Sequence, residues 1–242
     1  MTRAELAEAM VTDCVQARRD PTTLPKLVFS SNGQGIALAA KDDDFANAMK
    51  KADIIHADGM PVVLASRMTG APIPERIATT DFFHDAASAA TTNGLSFFIL
   101  GASERQNELA VRAMMAQYPD LTIAGRHHGY FSPDEDESIL HLIRESGADV
   151  LWVALGKPHQ ELWCARNRDR LAGIGWVKTC GGLYAFLSGD VGRAPRWMQR
   201  AGLEWLYRLQ EDPKRLAARY LKTNPIAFYR LLRHTRRGTN AD

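Results

Sequence analysis

The sequence predicts an α/β fold, in which a mostly parallel sheet is flanked by helices and followed by a basic, helical C-terminal appendage. Short apolar runs alternate with amphipathic stretches from Leu24 to Leu187, and several of these runs are apolar without alternation. After Pro195 the strand pattern stops. Alternation of this kind favours parallel strands joined by crossover helices, and continuously apolar strands are typical of a sheet covered on both faces.

Six apolar runs are the predicted strands: Lys26 to Ser30, Asp53 to His56, Ser96 to Leu100, Leu121 to Gly125, Val150 to Leu155 and Trp176 to Cys180. The predicted helices between them are Gln34 to Lys50, Ser103 to Tyr118, Pro133 to Glu145 and Pro158 to Leu171. Ser103 and Gln106 have the spacing of a capping box. This order of elements predicts a Rossmann-like catalytic domain over residues 1–191.

Residues 192–242 are predicted to form a separate helical appendage. Its predicted helices are Arg196 to Gln210, Pro213 to Lys222 and Pro225 to Arg236, each with a proline near its first turn. This segment contains twelve Lys or Arg against four Asp or Glu, although the net charge of the chain is only +2. Apolar residues interleaved with arginines are typical of a helix on a membrane surface, and a solvated helical face is the alternative.

Composition excludes several classes of protein. A chain of 242 residues with 45% hydrophobic and 24% charged residues is typical of a soluble globular protein. The three cysteines, Cys14, Cys164 and Cys180, form no CxxC pair, which argues against a disulfide framework or zinc site and favours a reducing cytoplasm. The first thirty residues lack the apolar run and cleavage site of a signal peptide, so export is not expected, and no run of roughly 20 apolar residues is available to span a bilayer. No nucleic-acid-binding signature accompanies the basic segment, so nucleic acid is not an expected partner.

Polar residues and glycines follow the predicted strands, where open parallel sheets bind their ligands. In chain order they include Ser30, Asn32, Asp58, Gly101, Tyr130 and Gln160. Asp58 is the acid best placed for catalysis, because a buried strand precedes it and Gly59 turns the chain away. A carboxylate there can take a proton from an attacking hydroxyl. An N-cap for a helix starting at Met60 explains the same residue equally well.

Two other residues have side chains suited to anionic or sugar ligands. Arg76 lies in a loop, where its guanidinium can bind a diphosphate or a carboxylate, and Asp81 follows five residues later. A surface ion pair is the alternative for these two. Gln160 opens a predicted helix, and its amide can bind a sugar hydroxyl or a phosphate oxygen or serve only the helix start.

Besides an enzyme in which Asp58 is the base, the residues alone leave two other functions open. Gly33-Gln34-Gly35 follows a predicted strand, but Leu38 stands where a dinucleotide fingerprint has its third glycine. A nucleotide-dependent oxidoreductase is therefore one alternative. The other is a non-enzymatic, polyanion-binding adaptor that acts only through its basic appendage.

A series of ordered motifs covers most of the chain. They are Ser30-Ser31-Asn32, Ala57 to Val63, Pro74-Glu75-Arg76 with Asp81, Gly129-Tyr130-Phe131, Leu151 to Glu161, Gly181-Gly182, Arg193 to Met198, and Gly202 to Leu209 with Pro213, Arg215, Arg219 and Tyr220. Together they resemble the WecG/TagA/CpsF family of bacterial glycosyltransferases, also called glycosyltransferase family 26.

The resemblance implies an inverting transfer of a sugar from a UDP-sugar to a polyprenyl-diphosphate-linked saccharide in cell-surface or exopolysaccharide biosynthesis. The implied sugar is N-acetylmannosamine, its uronic acid or glucose, and no metal or other cofactor is implied. The resemblance further implies a peripheral location at the inner face of the cell membrane, with the C-terminal helices as the attachment. Whether the chain forms a homo-oligomer is left open.

The resemblance also assigns roles to residues. Asp58 matches the proposed general base, and Arg208, Arg215 and Arg219 match arginines that close over the nucleotide diphosphate. The expected substrate-binding residues are Ser30, Asn32, Arg76, Asp81, Gly101, Tyr130 and Gln160. The chain departs from the family pattern at Ser30, Gln34, Thr79 and Ala218, where threonine, glutamate, glycine and arginine are usual.

Overall fold

The computed structural model describes residues 1–68, 72–200, 203–211 and 213–235. In the C-terminal helices the following side chains lie outside the described part of the structure: Arg196, Arg200, Arg208, Glu211, Arg215, Arg219, Leu232, His234 and Thr235. Among the described residues, no helix has both the length and the apolar composition to cross a membrane.

A parallel sheet of six strands lies at the centre of the molecule, which confirms the predicted fold class. The strands are β1 (Lys26–Ser31), β2 (Ile54–Ala57), β3 (Ser96–Gly101), β4 (Thr122–His127), β5 (Val150–Ala154) and β6 (Trp176–Thr179). Their spatial order is β2-β1-β6-β5-β3-β4. The carboxyl ends of β2, β1, β6 and β5 are therefore consecutive along one edge of the sheet.

Helices cover both faces of the sheet. They are α1 (Arg3–Arg19), α2 (Gly33–Ala39), α3 (Asp43–Lys50), α4 (Met60–Ser66), α5 (Thr79–Asn93), α6 (Glu104–Gln117), α7 (Asp136–Glu145), α8 (His159–Asn167), α9 (Leu183–Leu187), α10 (Arg196–Arg200), α11 (Glu204–Glu211) and α12 (Pro213–Thr235). Short 3₁₀ turns at Pro133–Glu135 and Arg168–Leu171 adjoin α7 and α8.

The two faces of the sheet bury separate apolar clusters, which explains why the strands lack an apolar–polar alternation. Val28 and Trp152 point into a cluster with α1, α5, α6 and α9. Phe29 and Leu151 point to the opposite side, where they pack with α7 and α8. Side chains of one strand alternate between the faces, so most positions are apolar when both faces are buried.

The helical prediction for Gln34 to Lys50 is wrong in one respect, because two helices, α2 and α3, cover this stretch. The Asp42 side chain accepts a hydrogen bond of 2.9 Å from the Phe45 N–H and so caps α3. Asp is a preferred N-cap residue because its carboxylate satisfies an amide that has no partner within the helix. A new helix therefore begins where the apolar periodicity alone predicts continuation.

The C-terminal helices also differ from their prediction. Arg196 to Gln210 forms two helices, α10 and α11, and the two helices predicted on either side of Pro225 are a single helix, α12. A Cβ atom added to Gly33 of α2 would lie 3.7 Å from Asn224 Oδ1 and 3.7 Å from Ala227 Cβ. This packing on both sides of Pro225 offsets the cost of the proline, which lacks the N–H that would bond four residues back in the helix.

Candidate functional site

Asp58 directly follows β2 and is half-buried. Its N–H donates to the Ser31 carbonyl at 2.9 Å, and its Oδ1 accepts from the N–H of Thr79, the first residue of α5, at 3.2 Å. The interpretation of Asp58 as the N-cap of the helix starting at Met60 is wrong, because Gly59 is the N-cap and no side chain caps α4. The contact with β1 thus fixes the main chain of Asp58 at the edge of the sheet, and the contact with α5 fixes its carboxylate.

Ser30 and Asn32 lie at the end of the neighbouring strand. Ser30 is buried opposite His56 in the parallel register, and the Asn32 Oδ1 accepts from the Gly35 N–H at 3.1 Å, which caps α2. A Cβ atom on Gly59 would lie 3.4 Å from both Cα and Cβ of Asn32. Glycine therefore lets the segment that contains Asp58 approach Asn32 closely, and the structure brings these predicted site residues together.

Arg76 also lies beside Asp58. Its Nε donates to the Asp58 carbonyl at 2.8 Å, and its Nη2 donates to Glu204 Oε2 at 2.7 Å. Asp81 forms ion pairs with Arg193 and with Arg3. The structure thus places Arg76 and Asp81 close to the predicted base, and both already contact charged residues of this chain.

The side chain of Gln160 is buried and forms hydrogen bonds with other residues of this chain. It is 1% exposed, its Oε1 accepts from the Gly181 N–H at 3.2 Å, and its Nε2 donates to Glu161 Oε1 at 2.9 Å. Lys157 Nζ donates to the Ser30 carbonyl at 3.0 Å and pairs with the same Glu161. Gln160 and Lys157 thus join the end of β1 to the loops that follow β5 and β6.

Gly101 and Tyr130 lie away from Asp58. Gly101 ends β3, which is four strands from β2, or about 19 Å at the usual strand spacing. A Cβ atom on Gly101 would lie 2.4 Å from the Ala154 carbonyl oxygen, so close packing against β5 explains the glycine. Tyr130 follows the edge strand β4 and is 79% exposed. The structure therefore does not bring these two predicted substrate-binding residues to the carboxylate.

The three arginines expected to bind the diphosphate belong to the C-terminal helices. The backbone positions of Arg208 in α11 and of Arg215 and Arg219 in α12 are described, and their side chains lie outside the described part of the structure. α12 packs against α2, which Asn32 caps, and against α4, which follows Asp58. The backbone that carries two of these arginines is thus part of a helix that borders the site.

One buried basic group on β6 is absent from the residues that the sequence motifs single out, although its charge interacts with that of Asp58. Lys178 of β6 is fully buried, and its Nζ donates to the Thr179 carbonyl at 2.6 Å. Burial lowers the pKa of Lys178 to about 8. Nearby acidic groups, among them Asp58, act in the opposite direction and raise it. Burial, assisted by the charge of Lys178, also holds the pKa of His56 well below its usual value. A lysine inside the apolar run Trp176 to Cys180 is the signal in the sequence that could have identified this group.

Comparisons with known proteins identify the family. The sequence model described as the glycosyl transferase WecG/TagA/CpsF family matches residues 1–241. The chain belongs to this family. A curated relative from Bacillus subtilis (strain 168) is 35% identical over 193 residues, which cover 78% of this chain and 73% of the relative. A second, from Staphylococcus aureus (strain MW2), is 29% identical over 210 residues, or 87% of this chain and 81% of the relative. Both are named N-acetylglucosaminyldiphosphoundecaprenol N-acetyl-beta-D-mannosaminyltransferase.

Membership of the WecG/TagA/CpsF family decides between the three functions that the residues alone left open. The protein is a glycosyltransferase, and the oxidoreductase and the non-enzymatic adaptor are not supported. The family resemblance stated from the motifs is thereby confirmed over nearly the whole chain.

Proposed function

We propose that this family member transfers N-acetylmannosamine from a UDP-sugar to a polyprenyl-diphosphate-linked N-acetylglucosamine during assembly of a cell-surface polysaccharide. Both relatives carry this sugar and this kind of acceptor in their names. The observation that carries the proposal is the position of Asp58, a half-buried carboxylate after β2 with an arginine bound to its own main chain.

In the proposed reaction Asp58 is the general base of a single displacement. The acceptor hydroxyl oxygen forms a bond to the anomeric carbon, the bond from that carbon to the UDP oxygen breaks, and the hydroxyl proton passes to the Asp58 carboxylate. The Thr79 N–H holds one carboxylate oxygen at 3.2 Å and so restricts the orientation of the group. An oriented base of suitable pKa contributes about 10²- to 10⁴-fold to the rate of such a step.

Arginines balance the charge of the departing UDP in this proposal, so that no metal is required. Arg76 is the described candidate, since its guanidinium lies beside Asp58 and guanidinium groups form charge-assisted hydrogen bonds with phosphates. Arg208, Arg215 and Arg219 remain further candidates on the strength of the family motifs.

The enzyme is proposed to bind the inner face of the cell membrane through α12. Three large apolar side chains of this helix are exposed, namely Leu221 at 77%, Phe228 at 65% and Tyr229 at 57%. Their spacing places them on one side of the helix, whereas Leu216 and Ala227 are buried. An exposed apolar stripe in a basic helix is suited to the boundary between lipid headgroups and acyl chains.

Changing both Leu221 and Phe228 to serine is expected to weaken binding to anionic vesicles at least about 10-fold, because each apolar side chain contributes about 1.5–3 kcal/mol when fully buried. Co-sedimentation with vesicles that contain phosphatidylglycerol measures this effect. The control is Leu142→Ser on α7, a residue that is also exposed. Equal sedimentation of the double variant and the wild type would contradict the proposed membrane contact.

A donor screen tests the proposed reaction. The protein is incubated in EDTA with a short-chain prenyl-diphosphate N-acetylglucosamine and with UDP-N-acetylmannosamine, its uronic acid or UDP-glucose in turn. Mass spectrometry is expected to detect the disaccharide lipid with UDP-N-acetylmannosamine and little product with the other two donors. Failure to form product from any of them, with or without added Mg²⁺, would contradict the proposed function.

A further inference from the structure

The first residue of α11 contacts the candidate site directly. Glu204 Oε2 accepts a hydrogen bond of 2.7 Å from Arg76 Nη2, and the two side chains are only 12% and 17% exposed. Ion pairs on the surface contribute little because water and salt screen them. A pair with this degree of burial fixes both side chains, since separating it would leave charges without partners in a poorly solvated place.

Arg76 connects Glu204 with the main chain of the proposed base. Its Nε donates to the Asp58 carbonyl at 2.8 Å, while Nη2 binds the glutamate. Because the guanidinium is planar and rigid, fixing one edge of it orients the donors on the other edge. The carboxylate of Glu204 therefore determines where Arg76 holds the Asp58 backbone.

A second series of contacts joins Glu204 to the Asp58 carboxylate. Glu204 Oε1 lies 3.9 Å from Arg193 Nη2, and Arg193 also pairs with Asp81 near the start of α5. The first residue of that helix, Thr79, donates its N–H to Asp58 Oδ1. Two routes thus lead from one glutamate, the first to the main chain of Asp58 and the second to its side chain.

We propose that Glu204 is a positioning residue for sugar transfer, which orients Asp58 through Arg76 and through the contact of Arg193 with α5. The inference rests on the proposed function, because it assigns a role relative to Asp58 as the base. Its consequence is that the reaction depends on the seating of α11 against the sheet domain. A molecule in which α11 has moved away retains Asp58 but loses the contacts that orient it.

The test is Glu204→Gln, which keeps the size of the side chain and removes its charge. We expect kcat for transfer to fall about 10-fold, because the ion pair with Arg76 is replaced by a weaker hydrogen bond from the guanidinium to a neutral amide oxygen. The Kd of UDP, measured by titration calorimetry, is expected to stay equal to that of wild type or to fall, since the variant removes a negative charge that pairs with Arg76 and removes no group assigned to the donor. Glu204→Asp, which retains the charge on a shorter side chain, is expected to have an intermediate kcat.

Glu108→Gln on α6 is the matched control, because it also removes the charge of a glutamate paired with an arginine. An unchanged kcat in Glu204→Gln, whether UDP binds as in wild type or more tightly, would overturn the proposal. If the thermal transition shows that Glu204→Gln does not fold, the test passes to a folded Glu204→Asp variant. A wild-type kcat in that variant would overturn the proposal. A reduced kcat with unchanged UDP binding would support the proposal.

These outcomes are distinct from failure of the proposed function itself. An inactive wild type, or an active Asp58→Asn variant, would contradict the role of Asp58. Activity that requires Asp58 but is indifferent to Glu204 would contradict only the positioning role.

Discussion

Asp58→Asn is expected to reduce the rate of sugar transfer by about 10³-fold, within the range by which general bases accelerate proton transfer. The amide has the same shape as the carboxylate and can still accept the hydrogen bond from the Thr79 N–H, but it cannot take the acceptor proton. The initial rate of disaccharide-lipid formation, measured at saturating donor and acceptor, is the test.

The same variant is expected to fold and to bind UDP nearly as well as wild type. Its thermal transition and its calorimetric Kd for UDP separate loss of chemistry from loss of structure. Asp43→Asn on the exposed start of α3 is a suitable control, because it removes one carboxylate outside the site. Full turnover by the Asp58 variant would remove this residue from the mechanism.

Lys178→Met is expected to stabilise the protein at neutral pH and to make its stability less dependent on alkaline pH. The pKa of Lys178 is lowered from 10.5 to about 8, mainly by burial. Between these two values the unfolded chain holds a proton that the folded chain has lost, so raising the pH favours the folded wild type. Below pH 8 the amine is protonated in both states, and the full cost of burying its charge is present.

The stability advantage of Lys178→Met is expected to fall by about 3 kcal/mol between pH 8 and pH 10.5, since each pKa unit corresponds to about 1.4 kcal/mol. Urea unfolding of both proteins at pH 7, 9 and 10.5 measures this change. Lys50→Met, at an exposed position of α3, should show no such dependence. A constant difference between Lys178→Met and wild type across these pH values would contradict the burial of a charged amine.

The strands of the fold could be predicted from the sequence, because burial on both faces leaves continuous apolar runs such as Val150–Ala154. Helix ends were less predictable. Pro225 is typical of a helix start, yet α12 continues through it where Asn224 and Ala227 pack on α2. That contact joins residues distant in sequence, which no local pattern reveals.

The positions of site residues could be predicted where the residue directly follows a strand. Asp58 and Asn32 lie together because parallel strands end at the same edge of a sheet, and Arg76 reaches the main chain of Asp58 from the loop before α5. The partners of these residues were not predictable, since the pair between Arg76 and Glu204 joins positions 128 residues apart. Gly101 has a packing reason that no local pattern reveals, because a Cβ atom there would collide with Ala154 of β5.

The anomeric configuration of the first product tests the central claim most directly. With an α-linked UDP-N-acetylmannosamine as donor, a single displacement assisted by Asp58 inverts the anomeric carbon and gives the β-linked disaccharide. Proton NMR of the product at low conversion distinguishes the two anomers. An α-linked product would show net retention, which requires two displacements, and would contradict Asp58 as the base of a single step.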